Sequence, residues 1–240
     1  MAPEQEQHGW LLALDTSATV ASIALAPVQG GPAEVAGEIT WEAGRNQTVT
    51  LLGQVDGLFR LCGIEADQLA GVIVATGPGS FNALRVGMSV AKTFCFAHDL
   101  PIFGIGTLEA AAHAFADRQM PVRAFVDAGR KRVVVGDFRP AGGGLVQRGE
   151  LEHRTRDELA DGLIEPTVLA GDLSEEMAFE LGGDERVVIP PPAVRRRRAS
   201  LFLDLGYQRW LTRDADDLIG LEPVYIHSRP RRTMSGERST

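Results

Sequence analysis

The sequence predicts an α/β protein of two related lobes, and three observations support this prediction. Short apolar segments typical of buried strands alternate with longer segments of helical periodicity. Each half begins with a strand, an aspartate, a tight turn and a second strand, around Asp15 in one half and Asp127 in the other. A strand, a Gly-Pro-Gly turn and a long apolar helix follow between residues 71 and 100. Each lobe is therefore expected to contain a mixed sheet covered by helices.

The order of these segments divides the chain into four parts. Residues 1–9 are predicted to be a flexible N-terminus, 10–118 the first lobe and 119–227 the second lobe. The last part, 228–240, is basic and predicted to be disordered. The first lobe is expected to contain strands at 10–14, 20–26, 34–42, 72–74 and 101–106, with helices at 47–62 and 81–98.

Composition excludes several classes of protein. The net charge is −8 over 240 residues, so the chain as a whole is not a basic nucleic-acid binder. No apolar segment has the length of a membrane span, and the N-terminus has no signal-peptide pattern. Cys62 and Cys95 lie in apolar helical segments, which favours buried, reduced thiols over a disulfide or a metal site. Together these features predict a cytoplasmic protein without a membrane partner.

The helix at 47–62 has a clear apolar face, formed by Leu51, Val55, Leu58 and Cys62. Two interior glycines, at positions 53 and 57, each cost about 1 kcal/mol relative to alanine. Such glycines are better tolerated where another element packs closely against them.

The helix at 81–98 is apolar on nearly every side, with Val90 and Phe94 on one flank. The small residues Ala83, Gly87 and Ala91 recur four apart and would permit close approach of another backbone. A helix that is apolar all round is buried on two sides. One side fits its own sheet, and the other needs a second helix of this chain or a partner subunit.

Polar turns are expected to meet between the lobes. Gly77 and Gly79 permit a turn that a Cβ would hinder, and Ser80 is placed to cap the next helix. Such a turn can either present N–H groups to an anion or act only as a structural joint, and we favour the joint. Asp15 with Thr16, and Asp127, are predicted to lie in the cleft, each aspartate capping its own hairpin turn.

The rest of the chain has less distinct elements. At the end of the first lobe, Thr107 is predicted to cap a short helix on which His113 is a surface residue. Strands are expected at 123–127, 133–138 and 167–171, with a last inner strand at 187–189 and a closing segment at 222–226. Helices are expected near 156–160, at 173–181 and at 194–212, the last with Leu201, Leu205 and Trp210 inward. The arginine run 195–198 is either a solvated helix face, which we favour, or a phosphate-contacting patch.

Four segments carry a resemblance to a known family. LALDTSATVASIAL, GVIVATGPGSFNALRVGMSVAKTF, PIFGIGTLEA and FVDAGRKRVVVGDF resemble the bacterial TsaB (YeaZ) proteins, non-catalytic relatives of TsaD. The resemblance covers residues 10–140 well, whereas residues 45–48 depart from the segment that many members carry there. It implies the duplicated ribonuclease-H-like lobes of the actin, Hsp70 and sugar-kinase ATPases, with a reduced second lobe.

The resemblance also implies a role. The chain would be a scaffold for a TsaD-like catalytic subunit and a TsaE-like ATPase, whose complex transfers a threonylcarbamoyl group to the adenosine beside the anticodon of tRNA. It would have no catalytic residue and no cofactor of its own, with ATP and metal on the partner subunits and tRNA contacted through the complex. The first-lobe helices would bind the partner through Leu51, Val55, Leu58, Ala83, Gly87, Val90, Ala91 and Phe94.

Two other functions are weighed against this role. A stand-alone kinase or ATPase of the same superfold could use Asp15 and Asp127 to orient Mg²⁺, but the second half leaves little room for a nucleotide-binding insertion. A metalloprotease needs ligands, and the family's catalytic relative has a His-x-x-x-His pair where this chain has Thr107 and Ala111. Whether the free chain pairs with itself stays open at this point.

Overall fold

The computed structural model describes residues 9–28, 33–43, 47–224 and 226. The predicted flexible N-terminus up to residue 8, the segment 45–46 and the predicted basic tail lie outside these residues. Among the described helices, none has both the length and the apolar character needed to cross a membrane.

The first sheet has five strands, and its central strand is buried on both faces. The strands are β1 (Trp10–Asp15), β2 (Val20–Pro27), β3 (Gly37–Glu42), β4 (Leu69–Gly77) and β5 (Ile102–Gly106), in the order β3-β2-β1-β4-β5. The β1–β2 and β2–β3 pairs are antiparallel, whereas β4 runs parallel to both β1 and β5. The continuous apolar run of β1 fits a strand that is covered on both sides.

The second sheet repeats this arrangement, as the paired aspartate turns predicted. Its strands are β6 (Val122–Asp127), β7 (Arg132–Ala141), β8 (Gly144–Thr155), β9 (Thr167–Ala170) and β10 (Val187–Val188), in the order β8-β7-β6-β9-β10. The β6–β7–β8 pairs are antiparallel, and β9 is parallel to β6 and β10. The strand expected at 187–189 lies at the edge of this sheet, and the prediction of an inner strand is wrong.

Six helices are described between and around the sheets. They are α1 (Gln47–Cys62), α2 (Phe81–His98), α3 (Thr107–His113), α4 (Glu175–Leu181), α5 (Pro192–Arg195) and α6 (Ala199–Leu211). Helices α1 and α2 cover one face of the first sheet, where Leu12, Leu14 and Val72 point. Helices α3 and α4 cover opposite faces of the second sheet.

The other face of the first sheet is covered by α6, although α6 follows the second sheet in the chain. Residues Leu11 and Ile73 of this face pack with Phe202 and Tyr207. A Cβ on Gly206 would lie 2.4 Å from Ile73 Cγ1, so only glycine permits this close approach. The span 119–227, predicted as the second lobe, therefore includes a helix that belongs to the core of the first sheet.

The single helix predicted at 194–212 is wrong in two respects. The backbone is extended at Arg196 and Arg198, which separates α5 from α6. The large buried side chains of α6 are Phe202, Leu203 and Tyr207, whereas Leu201, Leu205 and Trp210 are partly buried around them. The prediction placed the apolar face in the wrong phase because apolar residues occur on several sides of this helix.

Three polar side chains do not have the roles predicted for them. Ser80 occupies the N-cap position of α2, but its hydroxyl makes no capping hydrogen bond. Thr107 is the first residue of α3, and its hydroxyl donates to the Pro78 carbonyl oxygen at 2.5 Å. His113 is half-buried, with Nε2 2.5 Å from the Asp204 carboxylate, and this hydrogen bond lowers the pKa of Asp204. The His113 contact links α3 to α6.

Two helical glycines provide a matched test of packing. A Cβ on Gly53 meets nothing within 4 Å, whereas a Cβ on Gly87 would lie 2.4 Å from Thr16 Oγ1. We expect Gly53→Ala to raise the free energy of unfolding by about 1 kcal/mol, because alanine favours the helix. We expect Gly87→Ala to lower it by about 1–3 kcal/mol through overpacking. Urea unfolding measures both, and equal changes of the same sign would contradict this packing.

Candidate functional site

A cavity of about 790 Å³ lies between the two sheets. Its walls come from the β1–β2 turn, the start of α2, the β6–β7 turn and two later segments, 172–174 and 192–197. The structure therefore brings the predicted turns around Asp15, Ser80 and Asp127 to one cleft. The later arginines also line it, which their position in the sequence alone did not predict.

Asp15 is fully engaged by its own chain. Its Oδ1 accepts hydrogen bonds from the Ser17 backbone N–H at 2.9 Å and from the Ser17 hydroxyl at 2.5 Å. Its Oδ2 accepts from Arg197 Nε at 2.9 Å, while Arg197 Nη2 donates to Ser17 Oγ at 2.8 Å. The side chains of Asp15 and Arg197 are only 2% and 5% exposed. This is a buried ion pair between residues at opposite ends of the chain.

The environment of Arg197 keeps its positive charge. Burial alone lowers the pKa of the guanidinium, but the charge and hydrogen bond of Asp15, together with the charge of Asp172, outweigh it, so the pKa of Arg197 is raised. Arg197 therefore does not lie on the solvated helix face that was favoured for the arginine run.

Asp127 occupies the matching position in the second sheet but is exposed. Its Oδ1 accepts from the Gly129 backbone N–H at 2.6 Å, the same two-residue capping contact that Asp15 makes with Ser17. Its other oxygen accepts from Arg156. Both aspartates thus cap their own turns, as predicted, and both are neutralised by an arginine. Neither carboxylate has an oxygen free of a protein donor, which disfavours the Mg²⁺-binding alternative. The described residues contain no cluster of metal-ligating side chains.

The Gly-Pro-Gly turn packs directly on the β1–β2 turn. The Ser80 backbone N–H donates to the Ser17 carbonyl oxygen at 2.8 Å, and a Cβ on Gly79 would lie 2.4 Å from that same oxygen. Gly77 has φ +103°, a conformation that favours glycine. The Thr16 hydroxyl continues this contact by donating to the Ala83 carbonyl oxygen at 2.6 Å. These contacts support the structural joint over the anion cradle.

Most of the predicted partner-binding residues lie inside the chain's own core. The buried ones are Leu51, Val55, Leu58, Ala83, Gly87, Val90 and Ala91, and Phe94 is partly buried against the Phe59 ring. The prediction that these side chains form the partner surface is corrected, because they pack on the sheet and between α1 and α2. Within α2, Gly87 packs closely against Thr16 of the same chain, and the Ala83 carbonyl oxygen accepts from the Thr16 hydroxyl.

A different set of apolar residues is exposed on the same two helices. On α1, Val49 and Leu61 are 81% and 73% exposed, and on α2, Phe96 is 85% exposed. Gly53 and Gly57 lie on this side of α1, with open space where a Cβ would be. Val49, Gly53, Gly57 and Leu61 are each four residues after the last, and the two glycines agree with the sequence-based expectation that another element packs closely against them, whereas Val49 and Leu61 were not predicted.

Comparison with known proteins identifies the family. The family model described as TsaD, tRNA N6-adenosine threonylcarbamoyltransferase, matches residues 35–170, more than half of the chain. A tRNA threonylcarbamoyladenosine biosynthesis protein TsaB from Bacillus subtilis is 31% identical over 90% of this chain and 93% of the relative. The chain belongs to the TsaB family. A transferase from Geobacter sulfurreducens is 38% identical, but over only 26% of its own length, so the likeness to TsaB covers far more of both proteins.

A solved structure supports the same fold. YeaZ from Pseudomonas aeruginosa superimposes with a TM-score of 0.71 at 24% identity, covering 91% of this chain and all of that one. The two-lobe fold expected from the TsaB resemblance is confirmed, with its duplicated sheets and the cleft between them.

The buried ion pair of this TsaB chain gives a stability prediction. We expect Arg197→Met to lower the free energy of unfolding by about 3–5 kcal/mol, because it leaves Asp15 buried and charged without its partner. The double variant with Asp15→Asn should lose less than the two single losses combined, since the isolated charge is also removed. Arg60→Met, which breaks the exposed pair with Asp56, is the control and should cost less than about 1 kcal/mol. Additive losses in the double variant, measured by urea unfolding, would exclude coupling between the two residues.

Proposed function

We propose that this chain is a non-catalytic subunit in the biosynthesis of threonylcarbamoyladenosine in tRNA. It acts as a cytoplasmic scaffold that binds a TsaD-like catalytic subunit, and a TsaE-like ATPase joins that complex. ATP and metal are held by the partner subunits, and tRNA is modified at the partner's site. The family membership supports the pathway, and the surface of α1 supports the binding role.

The observation that carries the proposal is the exposed face of α1. Val49 lies on the side of α1 away from the sheet, and Leu52 and Leu61 lie on the two flanks of that side; all three expose large apolar side chains, although the opposite face of the helix is already buried on the sheet. Several exposed apolar residues around the uncovered side of a helix are typical of a surface that is covered in a complex. Phe81 and Phe96 extend the exposed apolar character to α2.

The two glycines on this face support a helical partner. Each costs about 1 kcal/mol of helix stability relative to alanine, and no atom of the described chain fills the space above them. Small residues spaced four apart allow two helix backbones to approach closely. A partner helix lying across Gly53 and Gly57 would give these glycines a function that the isolated chain does not.

The cleft supports a non-catalytic role. Asp15 and Asp127 are occupied by Ser17, Gly129 and two arginines, as described above. At the position of the catalytic relative's histidine pair, Thr107 donates to the Pro78 carbonyl oxygen and Ala111 is buried beside the second sheet. These positions serve internal packing, so chemistry is assigned to the partner.

The test is a substitution that blocks close approach without disturbing the fold. Gly57→Arg adds a long side chain in open space and improves helix propensity, so we expect the free energy of unfolding to rise by up to about 1 kcal/mol while binding to the organism's TsaD weakens at least about ten-fold. Gly183→Arg is the matched control, since its Cβ also meets open space but it follows α4 in the second lobe. Calorimetric titration of each variant into TsaD measures the affinities.

Two outcomes would contradict the proposal. If the unaltered chain shows no binding to TsaD at micromolar concentration, the scaffold role is wrong. If Gly57→Arg and Gly183→Arg bind equally well, the α1 face is not the interface. Reconstituted modification of a tRNA transcript, with and without this chain, then tests whether binding matters for activity.

A further inference from the structure

We propose that a basic rim beside the interlobe cavity binds the phosphate backbone of RNA. The rim consists of Arg130, Lys131, Arg132, Arg196 and Arg198. All five side chains are exposed, and none forms an ion pair with any residue that the structure describes. The chain as a whole has a net charge of −8, so this grouping of cations is opposite to its overall balance.

The first part of the rim is a turn whose sequence the fold does not require. The Arg132 backbone N–H donates to the Gly129 carbonyl oxygen at 3.0 Å, and this bond closes the β6–β7 turn. Arg130 and Lys131 have φ values of +53° and +61°. Gly129 before them also has positive φ, +75°, so three consecutive residues between β6 and β7 are left-handed. Glycine and asparagine adopt this conformation more readily than arginine or lysine, so the two cations are not explained by the turn and favour a role outside the fold.

The second part of the rim is held in place by the buried ion pair. The backbone around Arg197 is extended, with ψ 124° at Arg196 and 154° at Arg198. Successive side chains of an extended segment point to opposite sides. Because Arg197 points inward to Asp15, Arg196 and Arg198 are directed outward, and both are exposed. The arginine run is thus one internal anchor between two outward cations.

Both parts border the same cavity. Ala128 and Gly129, immediately before the cationic turn residues, line it, and so does Arg196. Glu42, Asp127 and Asp172 line its walls as well, with Asp127 already paired to Arg156. The interior is therefore of mixed charge and does not favour a polyanion inside. The rim has no carboxylate of its own and favours a polyanion lying across the opening.

RNA is chosen as the polyanion because of the proposed function, whereas the attraction of the rim for a polyanion does not depend on that function. A backbone of regularly spaced phosphates is matched by several separate cations, and such contacts make binding strongly salt-dependent. In a complex that modifies tRNA, these cations would hold a part of the tRNA remote from the reacting adenosine. This chain would then contact tRNA directly, beyond the indirect contact expected from the TsaB resemblance.

The test uses the full chain and an unmodified tRNA transcript. We expect Lys131→Gly to weaken binding several-fold and to reduce the slope of log affinity against log salt by about 1. The same variant should be at least as stable as the original, because glycine is favoured at this φ. Arg213→Gly is the matched control, since Arg213 is also an exposed cation with positive φ, 56°, but lies after α6. We expect it to leave affinity and slope unchanged.

A second variant tests the other part of the rim. Arg196→Glu reverses one outward charge, and we expect a larger loss of tRNA affinity, of about ten-fold or more at low salt. An unchanged salt slope in both rim variants would overturn the proposal. The proposal would also be overturned if Arg213→Gly lost as much tRNA affinity as the rim variants. Binding to anionic lipid vesicles with the same salt slope, without binding to tRNA, would overturn it as well.

Binding to TsaD separates this inference from the proposed function. We expect both rim variants to bind TsaD as the original chain does. Normal TsaD binding without any tRNA binding would overturn the rim and leave the scaffold role standing. Rim-dependent tRNA binding without TsaD binding would overturn the scaffold role and leave the rim standing.

Discussion

The ion pair between Arg197 and Asp15 is the contact on which the arrangement of the lobes depends. It joins the first strand to the segment that returns from the second sheet, and α6 begins two residues later. Such a pair is costly to bury and contributes mainly by specifying one arrangement, since any other position of Arg197 would leave a buried charge unmatched. It fixes the point at which the chain enters α6 and the outward direction of Arg196, while Phe202 and Tyr207 provide the packing of α6 on the first sheet.

The duplicated sheets show how one local motif serves two purposes. Asp15 and Asp127 both accept from a backbone N–H two residues later, as the shared sequence pattern requires. Their second oxygens differ, because Asp15 is bound by a distant buried arginine and Asp127 by the exposed Arg156. The first turn is therefore fixed inside the core, and the second remains at the surface. The cleft is consequently asymmetric, with a buried, arginine-bound turn on the side of the first sheet and an exposed turn on the side of the second.

Patterns local to the sequence predicted most of the fold. Apolar strands and the two aspartate turns indicated paired α/β lobes, and the glycines of the turn before α2 indicated a joint. Contacts between distant segments were not predictable, since nothing near Arg197 identifies Asp15 as its partner. The inward face of α2 was also ambiguous, because a helix that is apolar all round has no unique phase. Gly87 was thus assigned to a partner, although Thr16 fills the space beside it.

Residues that are unfavourable for their local backbone structure fall into two groups, those compensated by a contact inside the chain and those that are not. The uncompensated group indicates where other molecules bind. Gly206, Gly87 and Arg197 are unfavourable by local rules, but Ile73, Thr16 and Asp15 compensate for them inside the chain. The glycines of α1 and the left-handed cations of the β6–β7 turn have no such compensation among the described residues. A sequence that retains unfavourable residues without an internal gain is expected to use them elsewhere. The α1 surface is therefore assigned to a protein partner, since its exposed side carries apolar residues and open glycines around the Asp56–Arg60 pair, and the rim is assigned to RNA, since its side chains carry only positive charge.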